Sequence, residues 1–186
     1  MDLTWASATV SSLVSLKRTT VLSLSVFLCL LFSIQADAAV YMTTPEFIDN
    51  SLGDSSVVKS VWIRDDENQV AKKILGHSYP GLRVRYWQHG SKTAWVMDEV
   101  GKDRPITIGV VVSEGKIEKV SILAFRESRG GEVRHPFFTR QFVDVFLRDN
   151  MKLDRKIDGI AGATLSVRAV SRVSRYALYL HSLVVE

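Results

Sequence analysis

Residues 106–124, ITIGVVVSEGKIEKVSILA, decide the fold class of this 186-residue chain. Ser113-Glu114-Gly115 has the composition of a tight turn and separates two apolar runs. Apolar side chains recur in these runs at largely alternating positions, which is typical of strands with one face in a core: Val110, Val112, Ile117, Val120 and Ile122. The sequence therefore predicts a hairpin with strands at 106–112 and 117–124.

The flanking sequence predicts more strands before the hairpin and helices on either side of it. Strands are predicted at 57–63, 82–87 and 93–100. Helices are predicted from Thr44 to near Gly53, from Asp65 to Gly76, and at 136–148 and 165–183. In the last of these, apolar residues recur at steps of three and four: Val170, Val173, Ala177, Leu180 and Val184. We therefore predict a single α+β domain with helices packed on a mostly antiparallel sheet.

The N-terminus has the pattern of a secretory signal peptide. Lys17 and Arg18 precede an apolar run at 21–34, and Ala36-Asp37-Ala38 places small residues at the two positions that signal peptidase reads. The run is shorter than the roughly 20 residues of a membrane-spanning helix, so a retained membrane anchor is the less favoured alternative. We predict a signal peptide at 1–38, a mature domain at 39–186, and a periplasmic or otherwise secreted location.

Cysteine usage and charge exclude several classes of chemistry. Cys29 is the only cysteine and lies within the predicted signal peptide, so the mature domain has no disulfide, iron–sulfur ligands, thiol nucleophile or Cys-x-x-Cys-His motif. The net charge is +4, and no aromatic residues are interleaved with a basic run, which argues against nucleic-acid binding. The histidines lack metal-ligand spacing, so no metal site is predicted: His77, His89, His135 and His181.

A run of small residues precedes the last predicted helix: Asp158-Gly159-Ile160-Ala161-Gly162-Ala163-Thr164-Leu165-Ser166. Gly162 and Ala163 add little bulk beside the Thr164 hydroxyl, so a large enzyme or a ring-bearing ligand can approach it. The start of a helix favours an anion, and Ser166 adds a hydroxyl donor. The pattern is therefore typical of an acceptor for a phosphate-linked group. On spacing alone, Thr164 or Ser166 can instead be a simple helix cap, and Asp158 can form an Asx-turn.

Residues 158–166 resemble the Asp-x-x-Ser/Thr-Gly-Ala-Thr-x-Ser/Thr signature of the FMN-binding domain family, found in flavin subunits of bacterial sodium-pumping and electron-bifurcating redox complexes. The stretches 109–120 and 127–134, the latter followed by 138–142, resemble the central hairpin and the glutamate- and glycine-rich loop of the same family. Three motifs in order are more specific than one. The chain departs from the signature at Ala161, where the family most often has a hydroxyl side chain.

The resemblance implies that FMN is the cofactor and that it is linked through a phosphoester to Thr164. A separate flavin transferase would make this bond from FAD. Further cofactor contacts are implied on the phosphate side from Asp158, Gly162, Ala163, Leu165 and Ser166, and on the isoalloxazine side from Glu127, Gly130 and Gly131. Asp158 is expected to orient the acceptor loop or to assist metal-dependent transfer, and Arg168 to lie near the phosphate.

Three functions fit these observations. The first is a secreted electron-transfer flavoprotein that exchanges electrons with a donor and an acceptor protein, either of which can be membrane-bound. The second is an accessory flavin subunit of a reductase, and the third is a flavin-free scaffold protein, which Ala161 keeps open. We favour an electron carrier over a stand-alone enzyme, because the chain has no spare domain and no arginine cluster for a carboxylate substrate.

Overall fold

The computed structural model describes residues 39–185, which form a six-stranded antiparallel sheet with helices on both faces. The strands are β1 (Ala39–Val40), β2 (Val57–Trp62), β3 (Arg83–His89), β4 (Lys92–Val100), β5 (Pro105–Ser113) and β6 (Lys116–Phe125), in the spatial order β1-β6-β5-β4-β3-β2. The helices are α1 (Thr44–Leu52), α2 (Asp65–Leu75), α3 (Pro136–Thr139) and α4 (Thr164–Val184), with 3₁₀ turns at Gly131–Arg134 and Arg140–Phe142. This is the α+β domain expected from the sequence. The predicted signal peptide at 1–38 lies outside the described residues.

The central hairpin of β5 and β6 forms as predicted. Ser113 pairs with Lys116, and the two residues between them both have positive φ, 52° at Glu114 and 71° at Gly115. Two-residue hairpin loops with this backbone match the right-handed twist of the strands that they join. A bulge between Val111 and Val112 shifts the register near the turn.

The sheet carries apolar side chains on both faces, and different helices cover them. The larger cluster packs α2 and α4 against one face, where Trp95, Ile108 and Tyr176 are fully buried. The smaller cluster packs α1 against the other face through Phe47. At Gly109 a Cβ atom would lie only 2.6 Å from the Phe47 ring, so the close approach of α1 requires glycine there.

Helix α1 begins at Thr44 and is capped by the preceding residue. The Thr43 hydroxyl accepts the Glu46 backbone N–H, and the Glu46 carboxylate accepts the Thr43 N–H at 2.7 Å. This reciprocal arrangement satisfies two backbone donors at the helix start. The helix ends at Gly53, as predicted.

The prediction of a helix at 136–148 is correct for Pro136–Thr139 and wrong for the residues that follow. Helix α3 ends at Thr139, and the chain becomes extended at Val143 and takes a positive φ of 62° at Asp144. The reason is tertiary: the backbones of Asp144 and Val145 bond to Ile117 in β6 at 2.8 and 2.9 Å. These bonds and the full burial of Val145 outweigh the local preference for helix.

Helix α4 agrees with the prediction within one residue at each end and buries most of its length from Ala169 to His181. Among the helices of residues 39–185, none combines the length and the apolar character needed to cross a bilayer.

A buried carboxylate, Glu99 of β4, links α4 to the segment after α2. Its oxygens lie 3.3 Å from Arg172 Nη1 and 3.0 Å from His77 Nε2. The Nδ1 atom of His77 faces the Ser78 carbonyl oxygen at 2.8 Å. Because both ring nitrogens face acceptors, the charged imidazolium fits best. The hydrogen bond to Ser78, together with Glu99, raises the pKa of His77 against the opposing effects of partial burial and Arg172.

His181, near the end of α4, is held in the opposite protonation state. Its Nε2 atom accepts the Gly115 N–H at 3.3 Å, and its Nδ1 atom lies 2.7 Å from the Thr93 hydroxyl oxygen. An imidazole that accepts at one nitrogen is neutral, and burial lowers the pKa of His181 accordingly.

Candidate functional site

Thr164 is the first residue of α4, and its side chain is exposed. The residue at the N-cap position is Ala163, and no side chain caps the helix. The alternative that Thr164 or Ser166 serves only as a cap is therefore wrong. Gly162, with a φ of 81°, makes the turn into the helix, and apart from its two chain neighbours no atom of residues 39–185 lies within 4 Å of where its Cβ would be. The approach to the Thr164 hydroxyl is open, as its small neighbours predicted.

The first turn of α4 presents free backbone donors. The Ala163 N–H bonds to the Ile160 carbonyl oxygen, and the first bond of the helix runs from the Val167 N–H to the Ala163 carbonyl oxygen, both at 3.0 Å. The N–H groups of the three residues between, 164–166, have no acceptor within the described part of the chain. No acidic residue lies in this turn. It therefore attracts anions through its N–H groups and the helix dipole.

These donors lie at a cleft of about 600 Å³ that brings two distant stretches of sequence together. One wall is formed by residues 162–166 at the start of α4. The other wall consists of Glu127, Ser128 and Arg129 after β6, with Lys102 from the β4–β5 turn. A cleft of this size is within the usual range for small-molecule sites.

The Glu127 carboxylate organises the β4–β5 turn. Its Oε1 atom accepts three successive backbone N–H groups, from Lys102, Asp103 and Arg104. Partial burial raises the pKa of Glu127, but these three hydrogen bonds outweigh burial, and the net effect lowers it. At Gly101, a Cβ atom would lie 2.9 Å from the same oxygen. Glu127 lines the cleft and also fixes its neighbouring turn.

Gly130 joins the glycine-rich loop directly to the start of α4. Its φ is 88°, and a Cβ at this position would lie 2.5 Å from the Ser166 hydroxyl oxygen and 3.4 Å from the Ala163 Cβ. Ser166 is buried and lines the cleft. At Gly131, by contrast, the nearest atom, on Phe125, would be 3.6 Å away, which is ordinary contact. Only the first glycine of the pair is required by close packing.

Three residues assigned by the sequence lie outside the lining of the cleft: Asp158, Gly130 and Gly131. The Asp158 N–H bonds to the Gln141 side chain at 2.7 Å, which ties the acceptor loop to the turn after α3. Its carboxylate accepts no hydrogen bond from residues 39–185, so the alternative of an Asx-turn at Asp158 is wrong. Arg168 is exposed and does not line the cleft.

The sequence did not indicate the two cations of the cleft, Lys102 and Arg129. The sequence around Lys102 predicted a turn and nothing more. Arg129 lies between Glu127 and Gly130, which were assigned by their resemblance to the family loop. Lys102 and Arg129 carry two positive charges against the one negative charge of Glu127, and together with the helix dipole they make the cleft electropositive. Within residues 39–185, no cluster of three or more His, Cys, Asp or Glu side chains is arranged to hold a metal ion.

Three features of this α+β domain are typical of a protein that binds a phosphorylated cofactor: the open start of α4, the glycine-rich loop packed on it, and the electropositive cleft. Residues 101–179 match the family model described as FMN-binding domain, and they span both walls of the cleft. The match identifies residues 101–179 as an FMN-binding domain, and it supports FMN as the cofactor. Neither a curated protein nor a solved structure matches the chain.

Proposed function

We propose that this protein is a periplasmic electron-transfer flavoprotein that carries FMN through a phosphoester to Thr164. The observation that carries the proposal is the position of the Thr164 hydroxyl. It is exposed on the first residue of α4, at a cleft that also offers three free N–H groups and two cations. A phosphate at this place would be held by the same donors that hold anions at other helix starts.

The residues of the cleft fit FMN on two independent grounds. The free N–H groups of residues 164–166 and the side chains of Lys102 and Arg129 match the negative charge of the phosphate. The volume of the cleft, about 600 Å³, is within the usual range for small-molecule sites. The flavin, when bound, supplies the redox chemistry, and the chain supplies attachment and orientation.

Attachment is a phosphoryl-group transfer in which Thr164 is the acceptor. The Thr164 hydroxyl oxygen forms a bond to the phosphorus of the FMN half of FAD, the bond of that phosphorus to the bridging oxygen breaks, AMP leaves, and the hydroxyl proton passes to the transferase or to water. Among the described residues that line the cleft, Glu127 is the only carboxylate and there is no histidine. The Oε1 atom of Glu127 already accepts hydrogen bonds from backbone N–H groups. Activation of the hydroxyl is therefore assigned to the separate flavin transferase.

The test is the intact mass of the protein produced together with a flavin transferase. Wild type should gain the mass of FMN less one water. Thr164→Val, which keeps the β-branch and the approximate volume, should gain nothing, whereas Ser166→Ala should still be modified. A covalently flavinylated Thr164→Val protein would overturn the acceptor assignment. A wild type without covalent flavin would favour noncovalent FMN binding.

Ala161 provides a second arm of the same experiment. The residue is exposed beside the acceptor turn, so a larger side chain is accommodated without repacking. If the missing hydroxyl limits recognition by the transferase, Ala161→Thr should raise the modified fraction while Ala161→Val does not. Equal yields in both variants and wild type would show that this position does not affect attachment.

The location and the redox partners are further parts of the proposal. The location depends on the signal-peptide pattern at 1–38, and the donor and acceptor proteins follow from the proposed role as an electron carrier. Mature protein that begins near Ala39 in a periplasmic fraction would support the location. Full-length protein in the membrane fraction, with residues 21–34 protected from protease, would contradict it.

A further inference from the structure

A second concave site, which we call the cationic pocket, lies between α4 and the loop that follows the 3₁₀ turns. Its volume is about 470 Å³. It is open to solvent and is lined mainly by basic side chains: Arg148, Lys152, Leu153, Asp154, Arg155, Lys156 and Arg175. Five of these residues are basic and one is acidic, so the lining has a strong positive charge. Three of the five are arginines, so the expectation that the chain has no arginine cluster is wrong.

The arginines of the cationic pocket are held in place by backbone carbonyl oxygens. Arg175 Nε donates to the Met151 carbonyl oxygen at 2.7 Å, and Arg148 Nη2 donates to that of Asp154 at 2.6 Å. Arg155 Nη2 donates to the Asp144 carbonyl oxygen at 3.4 Å. A carbonyl fixes the direction of a guanidinium group but carries no net charge. The positive charges are therefore oriented without being cancelled.

The single carboxylate of the pocket compensates little of this charge. Asp154 Oδ2 lies 3.2 Å from Arg155 Nε, and Asp154 Oδ1 accepts the Phe146 N–H at 3.1 Å. No other ion pair involves the basic residues of the pocket within the described chain. The basic side chains that line this pocket repel each other, and a bound anion would relieve that repulsion.

The cationic pocket is distinct from the flavin cleft. The two share no lining residue. Arg175 is eleven positions after Thr164 on α4, which corresponds to about 16 Å along the helix axis. An anion in the cationic pocket would therefore not be the FMN phosphate.

We propose that the cationic pocket binds a phosphate group with two or more negative charges, carried by a soluble phosphate ester or by an anionic lipid head group. Guanidinium groups present paired donors that match phosphate oxygens, and the two lysines add point charges at the rim. The half-buried Arg175 lines the pocket from α4, and burial, together with the charge of Arg172, lowers its pKa.

The experiment titrates the purified protein with pyrophosphate by calorimetry, and separately sediments it with vesicles of phosphatidylcholine alone or mixed with phosphatidylglycerol. The test variant is Lys152→Glu with Lys156→Glu, because the arginines also fix the loop. The control is Lys72→Glu with Lys73→Glu on α2, which changes the net charge equally at two exposed positions. Thermal unfolding of each variant verifies the fold.

The test variant should bind pyrophosphate, or the anionic vesicles, at least about tenfold more weakly than wild type, which corresponds to about 1.4 kcal/mol. The control should bind within about threefold of wild type. Binding of pyrophosphate alone identifies a soluble ligand, and binding of anionic vesicles alone identifies a lipid head group. Equal loss in both variants would reduce the effect to overall charge and overturn the proposal, as would a wild type that binds neither probe.

Discussion

Replacing Gly130 by alanine tests the packing of the glycine-rich loop on α4. The position has a φ of 88°, and the new Cβ would lie 2.5 Å from the Ser166 hydroxyl oxygen and 3.3 Å from the Ser166 Cβ. The backbone conformation alone costs about 1–2 kcal/mol for a residue other than glycine. Displacing the buried hydroxyl adds about 1 kcal/mol. We expect Gly130→Ala to lower the free energy of unfolding by about 2–3 kcal/mol.

The double variant separates the two contributions. Ser166→Ala removes the oxygen at 2.5 Å, so Gly130→Ala in that background should retain only the backbone cost, and the two substitutions should couple by about 1 kcal/mol. Gly131→Ala is the matched control, because its Cβ would meet Phe125 at 3.6 Å and no positive φ is involved. Its cost should stay within about 0.5 kcal/mol.

The assay is urea-induced unfolding of the four variants and wild type, with m-values to confirm two-state behaviour. The covalent flavin yield is measured on the same preparations, because a displaced Ser166 lies on the wall of the cleft. Equal costs for Gly130→Ala and Gly131→Ala, or no coupling with Ser166→Ala, would refute the inferred contact between the loop and α4.

Four further variants test the electrostatics and the core. Glu127→Gln removes the charge that accepts three N–H groups and should lower the free energy of unfolding by about 1–2 kcal/mol at neutral pH. Because the pKa of Glu127 is lowered, this difference from wild type in urea unfolding should disappear as pH falls through the lowered pKa. The raised pKa of His77 means that its contribution is present at pH 5.5 and lost as pH rises through that pKa, so His77→Gln should destabilise the protein more at pH 5.5 than at pH 9. His181 has a lowered pKa and behaves oppositely, so acid unfolding should be shifted to lower pH in His181→Gln. Tyr176→Phe removes a buried hydroxyl that has no partner within residues 39–185 and should raise stability by up to about 1 kcal/mol in the same assay.

The elements that the sequence predicted well are those whose signals are local. The Glu114-Gly115 turn and the apolar spacing of α4 specify the hairpin and the helix without help from distant residues. The structure of the chain after Thr139, by contrast, depends on distant residues. Its path is set by bonds of Asp144 and Val145 to Ile117, more than 25 positions earlier, and nothing in the local sequence reports them.

The candidate site divides in the same way. Thr164 and its small neighbours could be selected because they are contiguous and because the start of a helix favours an anion. The family resemblance then favoured the acceptor role over a simple cap. Glu127 could be selected only by resemblance, and its bonds to the backbone of residues 102–104 depend on how two loops meet. Lys102 was missed for that reason, since a turn lysine is ordinary until the fold places it beside Thr164.

The contacts of α4 with the rest of the domain determine how firmly the backbone at Thr164 is held. The helix has 21 residues, Gly130 packs against its first turn, and His181 near its far end bonds to Thr93 and to the tip of the hairpin. The helix that carries Thr164 is therefore held in place at both ends, although the Thr164 side chain is exposed. A flavin carried there could move only about the bonds of the Thr164 side chain and of its own linker, because the helix itself is fixed. The gap that electrons cross would then be set by how closely the partner docks, and the rate of exchange should depend on the fit of the two surfaces.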